Sequence, residues 1–187
     1  MVFANYTETF SKIEKRLKEL DITYHILKGQ ANTVNKYIDD FKNKKVLEVS
    51  CGHGGGASYI TRYLKPLEYT AIDLNPLAID YCQERHRVNG LKFRVGDAMK
   101  LPFDDGSFDI VINVEASHCY PSFSKFLKEV SRVLKPGGHL VYADLRYESG
   151  VEEWIHDLFN QPSLRVKQMR LINPEIIRGI DRKSTRL

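Results

Sequence analysis

A cluster of glycines directly after an apolar segment is the feature of this sequence that most clearly points to chemistry. Residues 46–56 read VLEVSCGHGGG, with glycine at positions 52, 54, 55 and 56. Glycine lacks a Cβ, so the backbone can turn tightly there and approach a bound molecule. A helix that begins at these glycines also presents free amide groups that can receive an anion. The segment therefore predicts a turn that binds a small molecule through its main chain.

An acidic residue farther along the chain narrows the class of ligand. Asp73 ends the segment YTAID and lies 21 residues after Gly52. At the end of a second strand, its carboxylate would accept hydrogen bonds from both hydroxyls of a ribose. Gly52, Gly54 and Ala57 also fit the G-x-G-x-x-G/A pattern of nicotinamide-dependent enzymes. From these residues alone, a nicotinamide dinucleotide and another adenosine-containing cofactor are equally good predictions.

The elements that must position these residues alternate between two patterns. Apolar runs typical of buried strands occur at 46–49, 69–74, 91–95, 108–114 and 139–145, and helix-like segments occur at 55–64, 76–87 and 122–134. Strands that alternate with helices predict an α/β fold with a doubly wound, mostly parallel sheet as the middle of three layers. In such folds the ligand lies beyond the carboxyl ends of the strands, where the strand order reverses.

Four segments in order resemble the motifs of the class I S-adenosylmethionine-dependent methyltransferases. They are VLEVSCGHGG, IDLNP, GDAMKLPFDDGSFDIVI and VLKPGGHLVYAD, and the resemblance covers roughly residues 45–146. The segment NVEASHCYP is most similar to methyltransferases of small molecules and lipids, among them those that act on polyketide-derived phenols and on long-chain diol lipids of the phthiotriolone type. The resemblance implies a Rossmann-like fold that binds S-adenosyl-L-methionine.

The resemblance also assigns residues to the cofactor. Glu48 would lie near the amino group of the cofactor, Asp73 at its ribose, and Asp97 at its adenine amino group. Ser50 departs from the glycine usual at that position. The full set of cofactor residues expected from the motifs is Glu48, Ser50, Gly52, Gly54, Asp73, Leu74, Asn75, Asp97, Ala98 and Asn113.

Residues after the fourth strand are those that the family places beside the methyl acceptor. His118 is the candidate general base, because imidazole titrates near neutral pH, and Glu115 is a second catalytic candidate. Tyr120 and Arg146 are candidates for binding the substrate. The expected reaction is in-line transfer of a methyl group to a small-molecule or lipid acceptor, at a hydroxyl oxygen, without a metal.

Composition favours a cytoplasmic protein of one domain. The chain has 187 residues with 42% hydrophobic content, no apolar run of membrane-spanning length and no signal-peptide pattern at its amino terminus. The three cysteines fit neither a disulfide framework nor a zinc site. Residues 162–187 are basic but lack the interleaved aromatic residues of a nucleic-acid platform, so no nucleic-acid partner is expected.

We expect a single domain, 1–187, with three parts. A helical lid over residues 1–44 would supply Tyr6 or Tyr24 to the pocket. A cofactor-binding core follows over 45–146, and a helix, strand and basic tail follow over 147–187. The last part holds a helix at 151–160 and a sixth-strand candidate at 164–172. No seventh strand follows. Three outcomes are then expected for the open edge of the fifth strand, since exposed edges recruit other strands. The 164–172 segment pairs with it, a second copy covers it in a homodimer, or the chain is a shortened form of a longer protein.

Two alternatives stay open at this point. A shortened domain could bind S-adenosylmethionine without turning it over, as a scaffold. An NAD(P)-dependent oxidoreductase is less favoured, because the only Tyr-x-x-x-Lys pattern, Tyr24 with Lys28, lies before the glycine turn instead of after it.

Overall fold

The computed structural model of the protein describes residues 41–146 and 148–167. The chain divides into two compact units, residues 31–165 and residues 1–30 with 166–187, and all elements below belong to the first. The expected lid, with Tyr6 and Tyr24, lies outside the described residues except for its last four positions. The domain boundaries expected from the sequence stay predictions.

Five strands and four α-helices make up the described core. The strands are β1 (Lys45–Val49), β2 (Glu68–Asp73), β3 (Leu91–Val95), β4 (Phe108–Val114) and β5 (Leu134–Ala143), and the helices are α1 (Gly55–Leu64), α2 (Pro76–Arg85), α3 (Phe123–Val133) and α4 (Val151–Phe159). Short 3-10 turns lie at Ser117–Cys119 and Glu148–Gly150.

The strands form one sheet in the order β3-β2-β1-β4-β5, and every neighbouring pair is parallel. Among the described strands, β1 lies in the middle of the sheet, β2 and β3 follow outward on one side of it, and the chain then crosses back to β4 on the other side. The strand order therefore reverses between β1 and β4, which is where a doubly wound sheet opens a crevice for ligands. This confirms the predicted fold class.

Helices cover both faces of the sheet because side chains alternate along each strand. Leu47 and Val49 of β1 pack in one cluster with Phe126, Leu127 and Val130 of α3. Val46 of β1 packs on the other face, in a cluster that includes Ala57 of α1 and Ile79 and Cys82 of α2. Burying one large apolar side chain contributes about 1.5–3 kcal/mol, so these two clusters fix the strand register and with it the positions of the strand ends.

The helix starts follow the sequence signals. Ser122, the first residue of the helix-like segment predicted at 122–134, caps α3 by accepting a hydrogen bond from the Lys125 amide. Asn75 caps α2 by accepting from the Leu77 amide, with Pro76 at the first helical position.

The carboxyl-terminal part of the chain differs from expectation. β5 begins at Leu134 instead of residue 139, because Leu134 already pairs with Phe108 before the register shifts between Phe108 and Ile110. Residues 164–167 of the sixth-strand candidate form no strand, and 168–172 lie outside the described residues. Within the part of the chain that the structure describes, β5 therefore pairs only with β4.

Candidate functional site

The turn after β1 depends on residues with left-handed backbone. Ser50, Gly52 and Gly54 have φ angles of 61°, 54° and 71°. A Cβ on Gly54 would lie 2.8 Å from Phe93 Cε1, so this position also requires glycine for space. A Cβ on Gly52 would meet nothing within 4 Å, which leaves open space above the turn. The glycines thus shape the turn in two ways, and Gly52 keeps it accessible.

Asp73 ties the ends of β1 and β2 together. Its Oδ2 accepts a hydrogen bond from the Gly52 amide at 2.9 Å, and its Oδ1 accepts from the Asn75 amide at 2.9 Å. A carboxylate has about four acceptor positions, so these two bonds orient the group and leave acceptor capacity for a ligand. The adjacent Leu74 is 68% exposed and presents an apolar surface beside it.

Glu48 is a buried carboxylate beneath α1. It is 8% exposed, and it accepts a hydrogen bond from the Tyr69 hydroxyl at 2.8 Å. Burial raises the pKa of Glu48 to about 7, although the Tyr69 hydrogen bond acts in the opposite direction. Its Oε1 lies close enough to Gly56 that a Cβ there would stand 3.3 Å away. Glu48 thus lies under the glycine turn and titrates near neutral pH.

The residues expected at the adenine follow β3. Asp97 is exposed, and its Oδ1 accepts a hydrogen bond from the Met99 amide at 2.7 Å, which forms a local turn. Ala98 is 7% exposed and belongs to the core cluster under α3. The Gly96 amide donates to the Asp73 carbonyl at 3.0 Å, so this loop runs beside the ribose candidate.

Asn113, Tyr120 and Ser50 form a hydrogen-bonded row at the reversal of strand order. The fully buried Asn113 donates from Nδ2 to the Val49 carbonyl at 3.0 Å and to Tyr120 Oη at 2.8 Å. Tyr120 Oη lies 2.6 Å from Ser50 Oγ. Tyr120 was expected at the substrate, whereas its hydroxyl contacts Ser50 and Asn113, two residues expected at the cofactor.

His118 pairs with Asp144, which is not among the site residues expected from the sequence. His118 Nδ1 lies 2.7 Å from Oδ1 of Asp144, and the side chain of Asp144 is 0% exposed whereas that of His118 is 26% exposed. Asp144 directly follows β5, so the pair joins the carboxyl ends of β4 and β5. The one feature of the sequence that could have indicated a role for Asp144 is its position as the last residue of the motif VLKPGGHLVYAD.

Several donors hold the Asp144 carboxylate. Burial alone would raise its pKa, but hydrogen bonds from Ser117, Arg146 and His118 bring the pKa of Asp144 down to about 2. The Ser117 hydroxyl donates to Oδ2 at 2.6 Å, and Arg146 Nη1 lies 2.9 Å from the same oxygen. Asp144 is therefore ionised at neutral pH.

Arg146 lies inside the protein network instead of facing open space. Its Nη2 donates to Ser117 Oγ and to Tyr142 Oη, at 2.6 and 3.0 Å. Its guanidinium lies over the rings of Phe123 and Trp154, 5.2 and 5.6 Å from their centroids. Its Nη1 donates to the Leu145 carbonyl and pairs with Asp144, so both terminal nitrogens have protein partners. Binding of substrate by Arg146 stays a prediction.

Glu115 sits at the end of β4 in a constrained conformation. It has a φ of 50°, and its amide donates to the Ala143 carbonyl at 2.7 Å. Glu115 is exposed to solvent. The structure therefore places Glu115 at the rim of the same strand ends as His118, and its role in catalysis stays a prediction.

The residues present fit an adenosyl cofactor in three respects. Open space lies above Gly52, and Asp73 has spare acceptor positions. Asn113 Oδ1 is buried and has no hydrogen-bond partner, so a polar group remains unsatisfied at the reversal of strand order.

Within residues 41–146 and 148–167, no group of three His, Cys, Asp or Glu side chains could hold a metal ion.

Among the helices of the described residues, none is both long and apolar enough to cross a bilayer. The cytoplasmic location expected from the sequence stays a prediction.

Known protein families and proteins with similar sequences also point to a methyltransferase. A family model described as a methyltransferase domain matches residues 47–142. The phthiotriol/phenolphthiotriol dimycocerosates methyltransferase of Mycobacterium leprae is 59% identical over 141 residues, which are 75% of this chain and 52% of that protein. The fatty-acid O-methyltransferase of Mycolicibacterium smegmatis is 47% identical over 159 residues, 85% of this chain and 55% of that protein.

A solved structure supports the fold. The SAM-dependent methyltransferase from Aquifex aeolicus matches with a TM-score of 0.56 at 23% identity, over 71% of this chain and 72% of that one. The chain spans about half the length of the curated relatives it matches. With a family model that covers just over half of its residues and with relatives of this identity, the chain belongs to the S-adenosylmethionine-dependent methyltransferase family.

Proposed function

We propose that the protein transfers a methyl group from S-adenosylmethionine to a hydroxyl oxygen of a lipid or another small molecule by in-line displacement. The observation that carries the proposal is the pair formed by His118 and the buried, ionised Asp144 at the ends of β4 and β5. The names of the relatives, a dimycocerosates methyltransferase and a fatty-acid O-methyltransferase, favour a long-chain lipid acceptor and an oxygen atom.

The cofactor would be held by the ends of β1, β2 and β3. Asp73 would accept from the ribose hydroxyls, Leu74 would pack on the adenosine, and Glu48 would lie under the turn near the amino group. Asp97 and the Ala98 amide would meet the adenine edge, and Asn75 and Asn113 would complete the crevice from its two sides. When bound, S-adenosylmethionine supplies an electrophilic methyl group on a sulfonium centre.

The His118–Asp144 pair would act as a general base for the acceptor. An ionised carboxylate only accepts hydrogen bonds, so Nδ1 of His118 carries the hydrogen that points to Asp144. The lone pair of Nε2 is then free to take the proton of an acceptor hydroxyl. Such a base contributes about 10²–10⁴ in rate, and positioning of the acceptor contributes the rest of the acceleration.

The nature of the acceptor atom gives a sharp test of the base. A hydroxyl must lose a proton as it is methylated, whereas the carboxylate of a fatty acid is already deprotonated at neutral pH. We expect His118→Ala to lower methylation of a long-chain alcohol or phenol by about 10²-fold or more. Methylation of a fatty-acid carboxylate by the same variant should change little.

The measurement is methyl transfer from S-adenosylmethionine to both acceptor types, with cofactor affinity measured alongside. His156→Ala is the matched control, because His156 also faces an aspartate, Asp157 at 3.6 Å, but its side chain is 73% exposed. Equal turnover of the hydroxyl acceptor by wild type and His118→Ala would remove His118 from the mechanism. Cofactor binding without transfer to any acceptor would favour the non-catalytic scaffold.

Two further residues belong to this proposal. Glu115, exposed at the rim of these strand ends, and Tyr120, in the row with Asn113 and Ser50, would contact the acceptor or its neighbourhood. The match to a methyltransferase domain favours methyl transfer over the reaction of an NAD(P)-dependent oxidoreductase.

A homodimer through β5 is also part of the proposal. Among the described residues this strand pairs on one side only, and an open strand edge recruits another chain. Sedimentation at high protein concentration tests it, since a strictly monomeric species would exclude edge pairing between copies.

A further inference from the structure

Two tyrosines and a leucine are exposed along α1 and just after its end. Tyr59, Tyr63 and Leu67 are 61%, 65% and 58% exposed. Tyr59 and Tyr63 lie one helical turn apart, and their ring centroids are 4.7 Å from each other. A single exposed apolar side chain is ordinary, whereas a group of them marks a surface that contacts a partner.

The same part of the chain is strongly basic. Residues 41–67 contain a single acid, Glu48, which is 8% exposed beneath α1. Their basic residues are all exposed, namely Lys42, Lys44, Lys45, Arg62 and Lys65. The Leu67 amide donates to the Lys44 carbonyl at 2.9 Å, so the start of β1 lies beside the end of α1. The apolar and the basic side chains therefore share one surface.

The next acid in the sequence does not cancel this charge. Glu68 lies 3.5 Å from Lys45 and 3.5 Å from Lys92, so two lysines face one carboxylate. Arg62 donates from Nε to the neutral Ser58 hydroxyl at 3.2 Å. The surface thus keeps a net positive charge.

Aromatic rings among basic side chains suit either an anionic bilayer or a nucleic acid, and the geometry favours the bilayer. Nucleic-acid bases stack on open aromatic faces, but here the two tyrosine rings lie against each other, and Leu67 offers no ring. Tyrosine is enriched at membrane interfaces, because its ring is apolar and its hydroxyl polar. Lysine and arginine are attracted to anionic headgroups.

We propose that the protein binds an anionic lipid bilayer through a docking surface formed by Tyr59, Tyr63, Leu67, Lys44, Arg62 and Lys65. The inference deepens the proposed function and rests on it, since a long-chain acceptor would be drawn from the membrane in which it dissolves. Tyr59 lies four residues after Gly55, where α1 begins at the glycine turn, which is about 6 Å along the helix. Docking would therefore hold the crevice close to the lipid headgroups.

Cosedimentation with vesicles measures the docking itself. One vesicle type is phosphatidylcholine alone, and the other is equal parts of phosphatidylcholine and phosphatidylglycerol. We expect wild type to bind the mixed vesicles and to bind them less as salt rises. Lys44→Gln, Arg62→Gln and Lys65→Gln together should weaken this binding by about 10²-fold, because each basic residue near such a surface contributes about fivefold.

A second variant tests the apolar part without changing the charge. Tyr59→Ser with Tyr63→Ser should weaken binding to mixed vesicles by about tenfold or more. Leu77→Ser with Tyr81→Ser is the matched control, because these residues are 76% and 47% exposed and lie one turn apart on α2, a helix that carries two acids. The control should bind vesicles as wild type does.

The control for the charge variant removes the same number of positive charges elsewhere. Lys100, Lys125 and Lys128 are exposed and lie outside the docking surface. Lys100→Gln, Lys125→Gln and Lys128→Gln together should reduce vesicle binding far less than the charge variant of the docking surface does. Equal losses in the two triple variants would mean that overall charge, and not this surface, attracts the bilayer.

Methyl transfer connects the docking surface with the reaction. The acceptor is either a long-chain alcohol within mixed vesicles or a short-chain alcohol in solution. The charge variant should lose turnover of the vesicle-bound alcohol in proportion to its loss of vesicle binding. Its turnover of the soluble alcohol should equal that of wild type, since the docking surface takes no part in the transfer step.

The outcomes separate this inference from the function on which it rests. If wild type methylates the soluble alcohol but does not bind mixed vesicles, the function stands and the inference is overturned. It is also overturned if both variants of the docking surface bind vesicles as tightly as wild type. Binding of a double-stranded DNA oligonucleotide in place of vesicles, lost in the charge variant, would assign the surface to nucleic acid. If wild type binds no S-adenosylhomocysteine and methylates neither alcohol, the proposed function fails, and the role of docking in it fails as well.

Discussion

The two halves of the crevice are built by different means. At the ends of β1 and β2, backbone makes the site: left-handed residues form the turn, and Asp73 accepts from the amides of Gly52 and Asn75. At the ends of β4 and β5, side chains make it, with His118 and Arg146 both bonded to a buried Asp144. Backbone geometry follows from local sequence, whereas side-chain pairs join residues far apart in the chain. The two halves should therefore fail separately when mutated.

The largest effect is expected in the half made of side chains. Asp144→Asn replaces an ionised acceptor by a neutral amide, so His118 loses the charge that orients its ring and stabilises its protonated form. We expect turnover of a hydroxyl acceptor to fall by about 10²–10⁴-fold, with the affinity for S-adenosylhomocysteine unchanged. Steady-state kinetics and calorimetry on the same preparation check this, and a parallel loss of both quantities would show that the halves are not separable.

The half of the crevice formed by backbone, at the ends of β1 and β2, should be disrupted by adding one methyl group at Gly54. In Gly54→Ala the new Cβ would lie 2.8 Å from a ring carbon of the buried Phe93 and 2.9 Å from Cys82 Sγ, at a φ of 71°. Left-handed strain and overpacking together should cost about 2–4 kcal/mol of unfolding free energy, with loss of cofactor binding. Urea unfolding measures the first effect and calorimetry the second.

The control for that variant separates strain from collision. Gly90 has a φ of 84°, but a Cβ there would meet nothing within 4 Å. Gly90→Ala should therefore cost only about 1–2 kcal/mol and leave cofactor binding intact. Equal losses in the two variants would mean that the space at Gly54 is unimportant.

A pH dependence of stability should originate under the glycine turn. Burial raises the pKa of Glu48 from its ordinary 4.5 to about 7, so the folded state holds this proton more tightly than the unfolded chain. Its stabilising contribution is complete below pH 4.5 and is lost as the pH rises through 7, by about 3 kcal/mol in total. Glu48→Gln should remove this decline between pH 5 and pH 8. Urea melts at the two pH values decide it, and an identical decline in the variant would assign the effect to other groups.

The smallest effect should come from the outer contact of the side-chain network. Trp154 Nε1 donates to Tyr142 Oη at 3.2 Å, and the two rings stack. Trp154→Phe keeps an aromatic ring and removes the donor, so we expect a loss of about 1 kcal/mol in stability and a turnover within about fivefold of wild type. Thermal unfolding and the acceptor assay measure these. A collapse of activity would place Trp154 in the site itself.

The contrast between the halves also explains what the sequence could predict. The span of α1 and the caps Asn75 and Ser122 were readable, because caps, glycine turns and apolar periodicity act over a few residues. The early start of β5 was not, since Leu134 joins the sheet only through its partner Phe108. The role of Asp144 could not be predicted either, because it depends on a contact with His118, which is 26 residues away in the sequence.

The adenosyl crevice at the ends of β1 and β2 is the central feature of this protein, and calorimetric titration with S-adenosylhomocysteine tests it most directly. Wild type should bind one molecule per chain. Asp73→Asn should weaken binding by about tenfold or more, because the ribose loses a charged acceptor. No binding by wild type, or equal affinity in the two proteins, would contradict the account.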